Sequence, residues 1–280
     1  MATLGENRYG KSRVRLSRIT RHGDRHDFNE WTVRVLLNGD FETSFTEADN
    51  SKILPTDTMK NTVYSVARDS KAATIEDFAV ELGDYLLNNN PQVSKVSVEI
   101  AEKAWERMVI EGTAEPTTFK LGGSELHTVL AVRERGSSWS VVSGIDGLVI
   151  LKTTKSAFTG YIKDKLTTLK PSTDRIFGTS ATAAWEYAIA SPDHAHVRAR
   201  IVGALLKEFA NHNSMSVQHT LFDMGKAALA AAPEIARITL TMPNLHHLLA
   251  DLSPFGQDNP NHIFVPIDEP HGYIQATIER

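Results

Sequence analysis

The sequence predicts an α+β protein built from two tandem copies of one antiparallel supersecondary unit. In each half of the chain, two candidate strands come first, two amphipathic helices follow, and two further strands end the unit. Antiparallel strands with helices on one face belong to the α+β class. The order repeats after Arg135-Gly136-Ser137, so we expect one unit over residues 1–136 and a second over residues 137–280.

The first two strands are predicted by alternation. Along residues 14–19, Val14, Leu16 and Arg18 alternate with Arg15, Ser17 and Ile19, which indicates a half-buried strand with a basic edge. A turn containing a glycine follows at residues 22–26, and residues 31–38 alternate in the same way. The two segments therefore predict a β-hairpin.

Two helices are predicted next, the first of them beginning within Leu54–Tyr64. A proline sets up a turn there, and Thr56, Asp57 or Thr58 could each accept a hydrogen bond from a first-turn N–H group. The second helix has a capping box at its start and an apolar stripe at helical spacing over residues 75–86. A helix N-terminus can be a capped end only, or it can face an electron-rich ligand, and the pattern alone does not choose.

The remaining strands and helices are predicted from the same two patterns, which are alternation for strands and a 3.6-residue spacing for helices. Residues 96–100 and 128–132 predict strands, and Glu111–Gly123, which is rich in Gly, Thr and Pro, predicts a loop. The second unit is predicted to contain strands at 139–151, with a break at 144–147, and at 182–189, helices at 193–211 and 216–231, and final strands near 238–242 and 273–278.

The amino-acid composition argues against several classes of protein. A net charge of −4 argues against a nucleic-acid-binding protein, and no segment approaches the ~18 apolar residues of a membrane span. Cysteine is absent, which excludes disulfides and thiolate chemistry. One local run is basic, and it is either a solvated strand face or an attractor of a small anion. Its members are Lys11, Arg13, Arg15, Arg18, Arg21 and Arg25.

The ends of the chain suggest a location. No charged-then-apolar leader opens the sequence, and Thr277–Arg280 differs from an S-K-L type peroxisomal signal. We expect a cytoplasmic protein of bacterial type.

Histidine spacing does not predict a metal site. His22 and His26 flank a predicted turn rather than one face of a helix. The pairs His194/His196 and His246/His247 lack a third ligand at a recognisable spacing. We predict no metal and no cofactor.

Five segments carry a more specific signal. The stretch T-D-T-M-K-N-T-V-Y over Thr56–Tyr64 resembles the signature of the urate oxidase (uricase) family. Tyr9-Gly10-Lys11, the long segment Gly147–Arg175, Ser216-Val217-Gln218 and Pro243–His246 resemble the same family and occur in its order. The similarity runs from Tyr9 to the end of the chain, and the long segment is the most specific part of it.

The resemblance implies a fold and an assembly. Each ββααββ unit would be a tunnelling-fold (T-fold) unit, and the units of several subunits would close into a barrel. The family is homotetrameric, with active sites at subunit interfaces. It acts on urate and O2 without a cofactor, and its initial products are 5-hydroxyisourate and H2O2.

The resemblance also assigns site residues, each by its matching motif. Urate contacts fall on Phe158, Arg175, Val217, Gln218 and Asn244, and Thr56 and Asp57 join them from a neighbouring subunit. The proton relay falls on Lys11, Thr56 and His246. Thr56 and Asn244 are the expected holders of O2 or water above the purine ring.

Side-chain chemistry agrees with several of these roles. An aromatic ring stacks on a flat purine, a guanidinium pairs with an anionic edge, and an amide matches a purine edge. Without the resemblance, however, an aromatic residue such as Phe158 is more often part of the core, and Arg175 could be a surface ion-pair partner. We also predict that Gln218 occupies in the second unit the place that Thr56 and Asp57 occupy in the first.

Two residues depart from the pattern of the family, and two rival functions stay open. Leu245 and His247 differ from residues common in the family, and they could tune the rim of the pocket. The first rival function is another T-fold enzyme that acts on a pterin-like heterocycle, with zinc where its class uses it. The second is a non-catalytic binding module that uses the basic N-terminal strand.

Overall fold

A computed structural model describes residues 2–280, except for the side chain of Asp268. The architecture is α+β with antiparallel strands, as predicted. The chain divides into two compact units, one that ends at Gly144 and one that runs from Ile145 to Arg280. The predicted boundary at 136/137 lies in the turn before the fifth strand, whereas the compact units divide inside that strand.

Unit 1 contains four antiparallel strands in the order β1-β2-β3-β4. Its elements are β1 (Tyr9–His22), β2 (Arg25–Gly39), α1 (Glu42–Thr46), α2 (Thr56–Asp69), α3 (Ile75–Asn89), β3 (Val93–Ile110) and β4 (Thr113–Glu134). The predicted hairpin and both predicted helices are confirmed. Alternate residues of β2 are buried, and the Trp31 ring stacks on Phe78 of α3 at 4.8 Å, so α3 packs on this face of the sheet.

The first strand contains a β-bulge that affects a predicted site residue. Lys11 pairs with Val35, but Val14 pairs with Val33, so β1 has one residue more than β2 over this interval. Arg13, in the bulge, has a φ of 56°. Directly paired residues project from the same face of a sheet, and Val35 is fully buried. Lys11 therefore lies on the face of the sheet that carries the core.

The loop predicted over Glu111–Gly123 is wrong. Glu111 and Gly112, with φ values of 49° and 80°, form a tight turn, and β4 begins at Thr113. Glycine and proline composition indicated a loop, but threonine is β-branched and favours extended backbone. Most side chains of this segment are exposed on both faces, so no apolar alternation marked the strand.

The predicted cap of α2 is also wrong, whereas that of α3 is confirmed. Pro55 occupies the N-cap of α2, with no side-chain cap, and Thr56 and Asp57 are the first two helical residues. At α3, the Thr74 hydroxyl accepts a hydrogen bond from the backbone N–H of Asp77 at 3.2 Å.

Unit 2 repeats the plan and adds a hairpin. Strands β5, β6, β7 and β10 are neighbours in that order, and β8 pairs with both β6 and β9. The elements are β5 (Ser140–Lys152), β6 (Phe177–Tyr187), α4 (His194–Asn211), α5 (Val217–Ala231), β7 (Ile235–Thr241), β8 (Asn244–Leu249), β9 (Phe264–Gly272) and β10 (Gln275–Glu279). The predicted break at 144–147 is wrong, because β5 runs through it with Gly147 at a φ of 76°.

The sequence did not predict β8 and β9 as strands. Pro266 and Pro270 lie within β9, and proline is typical of edges rather than of central strands. The hairpin nevertheless places Asn244 opposite Gly272 and His246 opposite Ile267. Within residues 2–280, no helix combines the length and apolar character needed to cross a bilayer.

The order of elements corrects the expected correspondence between the two units. Helix α2 is the first long helix of unit 1, whereas α5 is the second helix of unit 2. Gln218 therefore corresponds to Glu76, the second residue of α3, and not to Thr56 or Asp57.

Candidate active site

Unit 2 contains a cavity of about 310 Å³. That volume is at the small end of the range found for small-molecule sites. Six residues that the sequence singled out line it: Phe158, Arg175, Val217, Gln218, Asn244 and His246. They come from a long loop, a helix N-terminus and a short strand, so only the tertiary fold brings them together.

Phe158 lies in the loop between β5 and β6, and it is held by backbone and ring contacts. Its N–H donates to the Ser172 carbonyl at 2.8 Å, and the Ser172 N–H donates back at 3.1 Å. Its ring stacks on Tyr161, with centroids 4.9 Å apart and planes 13° apart. Tyr161 does not line the cavity, and its hydroxyl donates to the Leu169 carbonyl at 2.6 Å. Phe158 is therefore a fixed aromatic wall.

Arg175 brings a positive charge to the same wall. Its guanidinium carbon lies 5.2 Å from the centroid of the Phe158 ring. Its Nε is buried and has no hydrogen-bond partner among the described residues. Burial lowers the pKa of Arg175, but a guanidinium remains charged in proteins. A buried donor without a partner favours an anionic or strongly accepting ligand.

The start of α5 forms a second wall. The Ser216 hydroxyl caps the helix by accepting a hydrogen bond from the His219 N–H at 3.1 Å. This cap fixes the first turn, in which Val217 is buried and Gln218 is exposed towards the cavity. Free N–H groups and the amide of Gln218 thus present both donors and an acceptor to a ligand.

Asn244 and His246 form the third wall, at the start of β8. The Asn244 amide nitrogen lies 3.2 Å from Nδ1 of His246. If the amide donates, the proton of a neutral imidazole sits on Nε2. Burial lowers the pKa of His246, and the nearby charges of Arg175 and His271 lower it further. The imidazole is therefore neutral at physiological pH and can accept a proton.

The sequence analysis did not single out several other lining residues. Ser172, Leu169, Gly272 and Ile274 line the cavity. His247, noted only as a departure, also lines it, and its Nδ1 lies 3.2 Å from the Leu245 carbonyl. Leu245 itself pairs with Gly178 on β6. Gly272 belongs to the hairpin that periodicity did not reveal. Ile274 lies within the strand predicted near 273–278, but no sequence signal assigned it to a site.

Three predicted residues lie in unit 1. Thr56 and Asp57 begin α2 and are exposed, and Asp57 pairs with Lys60 in the next turn. That hydrogen bond is the largest cause of the lowered pKa of Asp57, and the charge of Lys11 contributes too. Lys11 is half-buried and has no ion pair or hydrogen bond within residues 2–280. These residues form a second cluster, in which a cation lies near a carboxylate.

Gly10 allows this cluster to form. A Cβ atom at position 10 would lie 1.8 Å from the Val35 carbonyl oxygen, which no side chain tolerates. Glycine therefore permits the close approach of β1 and β2 immediately before Lys11.

Known proteins resemble this chain closely. A family model described as Uricase matches residues 7–132 and 141–275. A protein named uricase from Arthrobacter globiformis is 42% identical over 277 residues, which cover 99% of this chain and 90% of the relative. A uricase from Dictyostelium discoideum is 38% identical over 282 residues, covering 100% of this chain and 98% of the relative. The crystal structure of the Arthrobacter globiformis uricase superposes with a TM-score of 0.94 at 41% identity, covering 100% of this chain and 96% of that one.

Proposed function

Because the chain belongs to the uricase family, we propose that the unit 2 cavity binds urate and that O2 and water oxidise it there. The chain is a urate oxidase. The proposal concerns which of its residues hold the substrate, which move protons, and how the subunits assemble.

One observation supports the cavity as the urate site. The segments around Phe158, Arg175, Gln218 and Asn244 are far apart in sequence, yet their side chains line one small space. That space combines an aromatic wall, a partly buried cation and an amide, which are the groups that a planar anionic purine requires.

Each wall has a role in binding. Urate stacks on Phe158, and the Arg175 guanidinium pairs with its anionic edge. Gln218 and the first-turn N–H of Val217 hydrogen-bond the opposite edge. Three fixed contacts orient the ring, so that one face stays open towards Asn244.

Proton transfer is assigned to three residues. His246 is the acceptor within unit 2, because its imidazole is held neutral. Lys11 and Thr56 complete the relay: a threonine hydroxyl both donates and accepts, and a lysine acts as a base where its surroundings favour the neutral form. The relay removes the substrate proton and returns a proton to the reduced oxygen.

The chemistry needs no cofactor in this proposal. Deprotonated urate is electron-rich, and it gives two electrons to O2. Water adds to the oxidised purine as a hydroxyl group, and two protons leave with the reduced oxygen. Urate, O2 and H2O thus become 5-hydroxyisourate and H2O2, and Asn244 and Thr56 hold O2 or water above the ring.

The remaining unit 1 residues require an assembly. We propose a cytoplasmic homotetramer in which the T-fold units of different subunits close into a barrel. Lys11, Thr56 and Asp57 of one subunit then face the cavity of its neighbour. The Lys11 cation and the exposed start of α2 support this arrangement, because both are suited to an incoming partner.

The test is an aerobic urate assay on protein freed of metal by a chelator. Urate absorbance should fall while H2O2 accumulates in a one-to-one ratio, and sedimentation should give the mass of a tetramer. Urate oxidation retained after chelation would exclude the rival T-fold enzyme that uses zinc. A fully active monomer would contradict the shared site.

A further inference from the structure

A cluster outside the cavity converges at the junction of α4 and α5. His212 directly follows α4, while His219 and Asp223 lie one turn apart on α5. Oδ2 of Asp223 lies 3.4 Å from Nδ1 of His212 and 3.3 Å from Nε2 of His219. The three ligand atoms are all within 4.8 Å of one another.

We propose that His212, His219 and Asp223 bind a divalent transition-metal ion of the zinc type, which clips the end of α4 to the first turns of α5. The site is structural, and it takes no part in the oxidation of urate. It goes beyond the sequence analysis, which considered only histidine pairs close together in the chain and predicted no metal.

The distances support coordination. Zinc binds imidazole nitrogen and carboxylate oxygen at about 2.0–2.2 Å in tetrahedral geometry, so neighbouring ligand atoms lie about 3.3–3.5 Å apart. Both measured separations from the Asp223 oxygen match that edge. Two imidazoles and one carboxylate select zinc and similar ions over magnesium or calcium, which prefer oxygen ligands.

A fourth ligand is close by. Oε1 of Glu208 lies 3.5 Å from the same Nδ1 of His212. A rotation of this partly exposed side chain would complete a site of two nitrogens and two oxygens, and a water molecule is the other option. Oδ1 of Asp223 is occupied by Lys226 at 3.0 Å, so Asp223 offers the ion one oxygen.

The charges around the cluster favour a bound metal cation over two protonated histidines. The His212 side chain is only 9% exposed. Its Nδ1 faces two carboxylates, that of Asp223 at 3.4 Å and that of Glu208 at 3.5 Å. A neutral imidazole offers a lone pair to a metal. The His212 and His219 rings are 4.5 Å apart, so two imidazolium ions here would repel each other.

The position of the cluster gives the ion a mechanical role. His219 directly follows Gln218, and its N–H donates to the cap residue Ser216. The His212 carbonyl accepts a hydrogen bond from Lys152 of β5 at 2.7 Å. An ion here would therefore fix the first turn of α5, from which Val217 and Gln218 reach the cavity, against α4 and β5.

The alternative is a hydrogen-bonded cluster that binds no metal, and Co2+ distinguishes the two. Tetrahedral Co2+ absorbs visible light, so metal-free protein without urate is titrated with Co2+ and then with Zn2+. We expect one equivalent of Co2+ to bind with a tetrahedral spectrum, and Zn2+ to displace it and raise Tm.

Two variants and one control make the test specific. His219→Gln and Asp223→Asn should each weaken Zn2+ binding at least 10- to 100-fold, the loss seen when even a neighbour of a metal ligand is removed. His196→Gln, at an exposed histidine of α4, should bind as the parent does. The absence of a one-to-one Co2+ spectrum in the parent, or equal binding by His219→Gln, would overturn the proposal. Urate turnover by the metal-free protein tests the proposed function separately.

Discussion

The second long helix of each unit begins in the same way, but only one of the two starts faces an open space. Helix α3 begins with the cap Thr74, a buried Ile75 and then Glu76. Helix α5 begins with the cap Ser216, a buried Val217 and then Gln218. The hydroxyl cap and the buried first residue fix the backbone in both cases.

The difference lies in what covers the second residue. Glu76 is fully buried and accepts a hydrogen bond from the Ser143 hydroxyl at 2.7 Å. Gln218 is exposed and lines the 310 Å³ cavity. One repeat thus uses the position for internal packing, and the other presents it to an open cavity. Unit 1 would then contribute to the reaction from another place, the cluster of Lys11, Thr56 and Asp57.

The largest expected effect tests that contribution. Lys11→Met should lower kcat by about 100-fold or more, because general base catalysis typically contributes 10²–10⁴-fold. The dissociation constant for urate should change far less, since the relay acts in the chemical step. Stopped-flow turnover and equilibrium binding measure the two separately. Lys71→Met, at an exposed lysine of the same unit, is the control. Equal turnover by Lys11→Met and the parent would remove Lys11 from the proposed relay.

Gln218→Ala tests the open helix start. It should raise KM for urate about 10- to 100-fold, because two hydrogen bonds worth about 0.5–1.5 kcal/mol each are lost. The free energy of unfolding should hardly change, since the side chain is exposed. Steady-state kinetics and urea denaturation measure both quantities, and an unchanged KM would contradict the assignment of Gln218.

Glu76→Ala should show the opposite pattern in unit 1. It leaves the buried Ser143 hydroxyl without this acceptor and opens a void, which should lower the free energy of unfolding by about 1–3 kcal/mol. KM for urate should stay within about twofold of the parent. A variant of normal stability with a raised KM would mean that the two helix starts are not divided between packing and binding.

Arg175→Lys sharpens the electrostatic part of the comparison. It should weaken urate binding about 10-fold, because a point charge replaces a bidentate fork. Arg68→Lys, at an exposed arginine in the last turn of α2, provides the control. Retained affinity in Arg175→Lys would count against a direct contact between Arg175 and the anionic edge.

The smallest expected effect concerns pH. Burial, with the charges of Arg175 and His271, lowers the pKa of His246. Activity should therefore persist below about pH 6.5, the ordinary value for histidine, and fall only when the pH passes the lowered pKa. His271→Gln removes one of the like charges, so the acidic limb of kcat/KM should move to higher pH. The folded state also binds fewer protons at His246, so this residue makes stability fall as the pH falls. If the acidic limb of the kcat/KM profile does not move in His271→Gln, His246 is not part of the proposed relay.

Elements with one buried face could be predicted from the sequence. Residues 14–19 and 31–38 alternate because one side of the sheet packs on helices, and α3 has a local capping box. The first part of β4, up to Gly123, is largely exposed on both faces and gave no periodic signal. The proline-containing β9 was missed for a related reason, because it lies at an edge.

The cap of α2 could not be predicted, because any of several polar residues after Pro55 fits the pattern equally well. The site was a different problem. Phe158 and Gln218 were found through motif resemblance, since convergence of distant segments on one cavity is a tertiary property without a local signature. The roles of Phe158 and Gln218, like those of Lys11, Thr56 and Asp57, remain predictions.

The β-bulge before Val14 has a consequence for comparing related chains. Lys11 and Val14 are an odd number of positions apart along β1, yet both pair with buried residues of β2. A simple alternating count would assign Lys11 to the wrong side of the ribbon. Any insertion or deletion between these positions must therefore change the backbone geometry as well as the length. An alignment that ignores this parity and places gaps there would misjudge which relatives keep a basic group on the core-bearing face of β1.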